Sequence, residues 1–256
     1  MKWLISTVGN ERNPAIVFVH GFPFSRAMWQ KQMSALKDDY YCISYDIRGL
    51  GEADVESGQY TIDLYVDDLI DLMDEIGVKN AALCGLSMGG YIALQAIDRV
   101  PDRFTKLILC DTRADSDDNT AIMKRAANII KINEEGTDKF VEDFLALCVG
   151  ADFRNTHQEE YKNIVASCKK SSAIGMKGAQ VAMLGRSDKT ESLSRIAVPT
   201  LVICGENDTF TAPALMQELA AKIRGAEFRV IPKAGHLSPV ENSTEVNKAL
   251  LEFLRK

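Results

Sequence analysis

Gly85-Leu86-Ser87-Met88-Gly89 is the stretch on which the reading of this chain turns. The apolar run Ala81-Ala82-Leu83-Cys84 leads into it, and Gly90-Tyr91-Ile92-Ala93-Leu94-Gln95-Ala96, small and helix-compatible, leads out. Strand, G-x-S-x-G, helix is the context of a nucleophile elbow. A serine on so sharp a turn holds a strained backbone, and the residues two places either side must lack side chains or the strand and helix collide. Gly85 and Gly89 meet that demand, and Gly90 lets the helix lie close to the sheet.

Working outward, short apolar runs recur at 16–19, 41–45, 81–84, 107–110, 201–204 and 228–231. Most are continuously apolar, as strands covered on both faces should be. Helical patterns separate them. From Thr61 to Ile76 the apolar residues Ile62, Tyr65, Val66, Leu69, Leu72, Met73 and Ile76 recur at three- and four-residue steps, and Gly77 follows as a stop. A C-terminal helix follows Asn242, with Glu245 completing a capping box and Val246, Ala249, Leu250 and Phe253 as its inner face. Alternating strands and helices predict an α/β fold with a mostly parallel sheet wrapped on both sides.

One stretch breaks the rhythm. Between Asp111 and Pro199 no good strand occurs, only helical pieces near 119–133, 137–148, 156–169 and 172–185. Gly136 separates the first two, and Thr156 with Glu159 offers the third a capping box. So long a strandless excursion predicts a helical cap over one edge of the sheet. The expected division is a core of 1–111 and 200–256 with a cap insert at 112–199.

Composition narrows the function classes. The 256 residues suffice for one large α/β domain with an ample core. A net charge of −6 with no basic stripe argues against nucleic acid, whose binding rests on clustered Lys and Arg. The start, Met1 to Thr7, is too short an apolar run for a signal peptide, and no run approaches the roughly 18 apolar residues of a membrane span. These features predict a cytoplasmic protein with no membrane partner. Cys42, Cys84, Cys110 and Cys204 sit in strand-like runs, as buried free thiols do. With no C-x-x-C pair and with His20, His157 and His236 far apart, no structural metal site is expected. Gly49-Leu50-Gly51 does not make a dinucleotide site, because Asp54 stands where the third glycine belongs.

Ligands in a parallel sheet bind where loops leave the strand ends. Such loops here are His20-Gly21-Phe22-Pro23, Asp46-Ile47-Arg48-Gly49-Leu50-Gly51, Gly205-Glu206-Asn207-Asp208 and Lys233-Ala234-Gly235-His236. A serine hydroxyl needs a base to become a nucleophile, and an imidazole base needs an acid on its other nitrogen. Ser87, Asp208 and His236 supply the three in the order Ser…Asp…His. Asp111, past the strand ending at Cys110, is the rival acid; Glu206 is a second, and Asp46 is read as structural, pairing with Arg48 or bonding turn amides. The oxyanion of a tetrahedral intermediate needs two aimed N–H donors. Met88, after the nucleophile, and Phe22, behind Gly21, are the expected pair, with His20 bracing the loop.

Taken together, these motifs resemble the α/β-hydrolase superfamily over essentially the whole chain. Within it the elbow and the cap size look most like the cofactor-free esterases, 3-oxoadipate enol-lactonases and non-haem haloperoxidases or perhydrolases. The resemblance implies an eight-stranded, mostly parallel sheet flanked by helices, a helical lid inserted late in the sheet, and no metal or organic cofactor. Relatives that open epoxides or alkyl halides carry an aspartate where Ser87 stands. A serine instead attacks acyl carbons, so the expected reaction is hydrolysis of a small ester or lactone. Perhydrolysis with the same residues and a slowly hydrolysing ligand receptor are the alternatives, and homo-oligomerisation is left open. A carboxylate-bearing lactone would want a cation beside the pocket, for which Arg113, Lys124 and Arg125 are candidates.

Overall fold

In the computed structural model, which describes residues 3–55 and 60–256, the strands are β1 (Ile5–Val8), β2 (Ala15–Val19), β3 (Tyr41–Tyr45), β4 (Ala81–Leu86), β5 (Phe104–Cys110), β6 (Thr200–Gly205) and β7 (Glu227–Ile231). Met1 and Lys2, part of the N-terminal run read above, lie outside the described residues. The strands form one seven-stranded sheet in the order β1-β3-β2-β4-β5-β6-β7. All neighbours are parallel except β1, which runs antiparallel to β3 with Ile5 opposite Tyr45.

The apolar runs become strands because burying them on both faces removes them from water. Every residue of β3, β4 and β6 is buried. The sheet has one strand fewer than the resemblance implied. Residues 9–14 make a turn, closed by Asn13 N–H donating to Asn10 C=O at 2.9 Å, so β1 passes to β2 with no strand between. β1 itself carries no continuous apolar run. It is an edge strand whose burial alternates, Ile5 and Thr7 out, Ser6 and Val8 half-buried.

The helices are α1 (Gln30–Leu36), α2 (Ile62–Glu75), α3 (Met88–Arg99), α4 (Asn119–Cys148), α5 (Ala151–Thr156), α6 (Gln158–Cys168), α7 (Ala173–Leu184), α8 (Pro213–Ala221), α9 (Ser238–Glu241) and α10 (Ser243–Leu254). α2 buries the predicted face, starts on the Thr61 hydroxyl, which accepts Leu64 N–H at 3.0 Å, and ends before Gly77 at φ 73°. Asn242 caps α10 through Glu245 N–H at 3.4 Å. No helix of the described residues is long and apolar enough to cross a membrane.

Helices α4 to α7 occupy the strandless stretch between β5 and β6. Gly136 breaks α4 where the sequence placed a separation, at φ 83° and ψ 168°, a conformation nearly reserved for glycine. The predicted capping box on the third piece does not form. Thr156 ends α5 instead, its hydroxyl donating back to Asp152 C=O at 2.7 Å, and α6 begins past His157. α7 lies directly on the loop after β3: a Cβ on Gly175 would stand 1.8 Å from Gly49 C=O. Gly51 N–H donates to the Ser171 hydroxyl at 2.8 Å, tying that loop to the segment before α7.

Candidate active site

The end of β4 and the start of α3 set Ser87 on the rim where the parallel strands finish. Ser87 holds φ 52°, the left-handed region that costs a non-glycine residue roughly 1–3 kcal/mol. The strain is held by close packing. A Cβ on Gly85 would lie 2.3 Å from Gly89 C=O, and one on Gly89 would lie 2.2 Å from Val19 C=O. Thr112, just past β5, donates its hydroxyl to Ser87 C=O at 2.7 Å, a support that the sequence reading missed.

Two loops away, the structure brings His236 and Asp208 to this serine. His236 Nε2 lies 3.0 Å from Ser87 Oγ, and His236 Nδ1 lies 2.8 Å from Asp208 Oδ2. The carboxylate is itself fixed. Asp208 Oδ1 accepts Phe210 N–H at 2.7 Å and Thr211 N–H at 3.1 Å, and the Thr211 hydroxyl donates to Oδ2 at 2.5 Å. Burial works against the charge on Asp208, but His236 and the Thr211 donors outweigh it and hold the carboxyl below its ordinary range. Burial likewise opposes protonation of His236, yet the Asp208 carboxylate, helped by Glu241, raises the imidazole above its usual value. An imidazole so placed can take a proton from a serine hydroxyl and keep the resulting charge paired.

The rival acids bond other groups than the imidazole. Asp111 is fully buried at φ 45°, and its oxygens accept Gly205 N–H at 2.7 Å and the Ser238 hydroxyl at 2.5 Å. Burial and the neighbouring Asp208 charge push its carboxyl well above the usual range, which favours the neutral acid. Glu206 is exposed and accepts Lys233 N–H at 2.9 Å. Asp46 bonds turn amides, from Arg26 at 2.7 Å and Glu52 at 2.9 Å, but its ion pair is with Arg26; Arg48 pairs with Asp68 instead.

Met88 follows the serine directly in the chain, and Phe22 lies in the loop after β2 that packs on the elbow. Met88 opens α3, so its N–H has no partner within the helix and points with the helix dipole. The loop carrying Phe22 presses on the elbow, since a Cβ on Gly21 would stand 3.2 Å from Ser87 Cβ. His20 braces that loop. Its Nε2 accepts Ile47 N–H at 3.0 Å, so Nδ1 carries the proton that is donated to Gly21 C=O at 2.9 Å. Burial pulls the His20 pKa down, and the ring stays neutral, joining the β2 and β3 loops.

A chain of aromatic rings ends on His236. Phe22 meets Phe140 at 6.0 Å and Phe144 at 5.5 Å between centroids, Phe144 meets Phe210 at 5.9 Å, and Phe210 lies 4.9 Å from the His236 ring. Phe140 and Phe144 come from α4, so the helical segment reaches the catalytic rim. Two of the three candidate cations are already paired. Arg113 pairs with Asp115, Arg125 shares Asp117 with Arg186, and Lys124 is exposed. Among the described residues, Asp111, Cys204 and Asp208 are the grouping with metal-ligand spacing. Their carboxylate oxygens already accept the hydrogen bonds given above, and burial keeps the Cys204 thiol protonated.

Comparison with known proteins agrees with this geometry. A sequence profile described as alpha/beta hydrolase fold matches residues 14–243. The chain belongs to the α/β-hydrolase family. It is 29% identical over 251 residues to 3-oxoadipate enol-lactonase 2 of Acinetobacter baylyi, covering 98% of this chain and 92% of that one. Among solved structures it resembles a thermophilic esterase from Thermogutta terrifontis at 34% identity and a TM-score of 0.94, covering 99% of this chain and 93% of the esterase. The enol-lactonase from Burkholderia xenovorans LB400 superposes with a TM-score of 0.93 at 28% identity, covering 99% of this chain and 96% of that one.

Proposed function

We propose that this α/β hydrolase cleaves small carboxylic esters or lactones through an acyl-serine intermediate. The observation that carries the reading is the chain of contacts from Ser87 Oγ to His236 Nε2 at 3.0 Å and from His236 Nδ1 to Asp208 Oδ2 at 2.8 Å. Ser87 attacks the carbonyl carbon while His236 accepts its proton. The Phe22 and Met88 amides hold the oxyanion, a contribution of about 10²–10³ in rate per donor in such sites. His236 then protonates the departing alkoxide and takes a proton from the water that releases the acyl group.

The similarity to an esterase and to enol-lactonases supports ester and lactone substrates. The aromatic lining from Phe22, Phe140, Phe144 and Phe210 favours an apolar acyl or alcohol group, and the carboxylates already facing Arg113 and Arg125 favour an uncharged one. Residues 112–199 act in this reading as the cap over a core of 1–111 and 200–256. Six cysteines, all free and buried, suit the reducing cytoplasm. The test is a panel of esters, lactones and thioesters, assayed with and without peroxide. Turnover of apolar esters or lactones that vanishes in Ser87→Ala is the expected outcome. Tight binding without turnover, or activity untouched by Ser87→Ala, contradicts the proposal.

A further inference from the structure

The cap and the histidine loop meet at one carboxylate that the mechanism above does not use. Glu241, at the end of α9, is largely buried and accepts three main-chain N–H groups: Gly150 at 2.8 Å and Gly235 at 3.0 Å on Oε2, and Leu237 at 3.1 Å on Oε1. Gly235 and Leu237 are the two neighbours of His236. Gly150 belongs to the cap, just after α4. A fourth bond joins the same parts directly, His236 N–H donating to Cys148 C=O at 3.0 Å. Both glycines stand close to these partners. A Cβ on Gly150 would stand 2.9 Å from Glu241 Oε2, and one on Gly235 would stand 3.1 Å from Cys148 C=O.

We infer that Glu241 is a positioning residue that registers the cap against the His236 loop, so that the imidazole is aimed at Ser87 only while the cap is seated. The inference rests on the serine-hydrolase reading above. Physically, three N–H donors converging on one carboxylate form charge-assisted bonds, roughly twice as strong as neutral ones. They span two segments that the chain separates by some 85 residues, Gly150 and Gly235, so a local turn cannot replace them. The anion also faces His236 alongside Asp208 from the β6 loop, with Asp111, favoured in its neutral form, at the β5 end, and Cys148 C=O at the end of α4 accepts the His236 main-chain N–H.

Two variants separate aim from mere stability. Glu241→Gln keeps the size of the side chain but turns an NH2 toward N–H donors. Gly150→Ala keeps the carboxylate and presses a methyl onto it, and Gly150, at φ −57° and ψ 143°, gives alanine no backbone strain. The readouts are kcat, KM and the pH profile of kcat/KM on a p-nitrophenyl ester, with the rate at which a fluorophosphonate labels Ser87. Both variants should lose kcat and labelling rate by about 10–10²-fold, with KM changed less, as misplacement on the scale of an ångström does. Only Glu241→Gln, which removes the charge, should move the acidic limb to lower pH. Folded variants that label and turn over like wild type, or that lose only melting temperature, overturn the positioning role. If Glu241→Gln does not fold, Gly150→Ala decides alone. A wild type that the phosphonate does not label contradicts the serine reading and the positioning role with it, whereas a labelled wild type with unaffected variants contradicts the positioning role alone.

Discussion

The two sides of the site share one hydrophobic core but differ in what is added to it. On the sheet side, Ser87 sits at the end of a fully buried strand, wedged by main-chain contacts in which glycines face carbonyls. On the cap side, α4 to α7 bury Val141, Leu145, Met176 and Ala179 in the same core as the sheet, meet the loops at Gly175, Gly178 and Gly150, and add outer ion pairs, Lys131–Asp143 across the Gly136 break in α4 and Lys169–Glu142 from the end of α6 to α4. Exposed ion pairs of this kind contribute about 0–1 kcal/mol each. In the proposed reading the chemistry sits on the buried strand ends, and substrate selection on helices that add outer ion pairs to a buried face.

Substitutions that break this contrast rank by size. The largest effect belongs to the acid. Asp208→Asn should lower kcat by about 10⁴-fold, as loss of an orienting carboxylate does. Because Asp208 is what raises His236, the acidic limb of kcat/KM should also fall to lower pH in this variant, whereas in wild type it lies above the ordinary imidazole value and activity drops as pH falls through it. Asp111→Asn should cost at most about tenfold, since a carboxyl already favoured in its neutral form resembles the amide. Kinetics of the two variants across pH check both statements, and a larger loss in Asp111→Asn would reassign the acid.

Next comes the wedge behind the serine. Gly85→Ala places a methyl 2.3 Å from the Gly89 carbonyl and should destabilise the fold by roughly 3 kcal/mol or more in urea melts. Gly21→Ala is gentler, meeting Leu86 Cδ2 at 2.8 Å and Ser87 Cβ at 3.2 Å. Displacing the Phe22 amide in this way should reduce kcat by about 10–10²-fold while KM moves little. The smallest effect is on the cap. Phe144→Ala removes one half-buried ring and should raise KM for aromatic esters by about 2- to 10-fold, the worth of one aromatic contact, with acetate esters nearly unaffected.

The same contrast explains what could be read from the residues alone. The elbow, the loops after the strands, α2 and α10 were legible because each rests on a local pattern: a glycine spacing, an apolar period or a cap. Gly136 was legible for the same reason, since its conformation belongs to glycine. Edge strand β1 was not, because half-buried Ser6 and Val8 alternate with outward Ile5 and Thr7 over only four residues. The capping role given to Thr156 failed through a competing local bond, its hydroxyl turning back to Asp152 C=O. Thr211, three residues past Asp208, had a local signal in the spacing of an acid and a hydroxyl within one turn. Thr112 had none, since its partner Ser87 is distant in sequence, and Glu241, although it also bonds the nearby Gly235 and Leu237, reaches Gly150 only in the folded chain.

Acylation of Ser87 is the direct trial of the account. The protein is mixed with p-nitrophenyl acetate, quenched during the first turnover, and the bound acetyl group located by peptide mass spectrometry. The expected result is one acetyl on Ser87, formed in a burst with p-nitrophenol and absent in Ser87→Ala and His236→Ala. Steady release of p-nitrophenol with no acetyl on the protein, or with the acetyl on another residue, contradicts it.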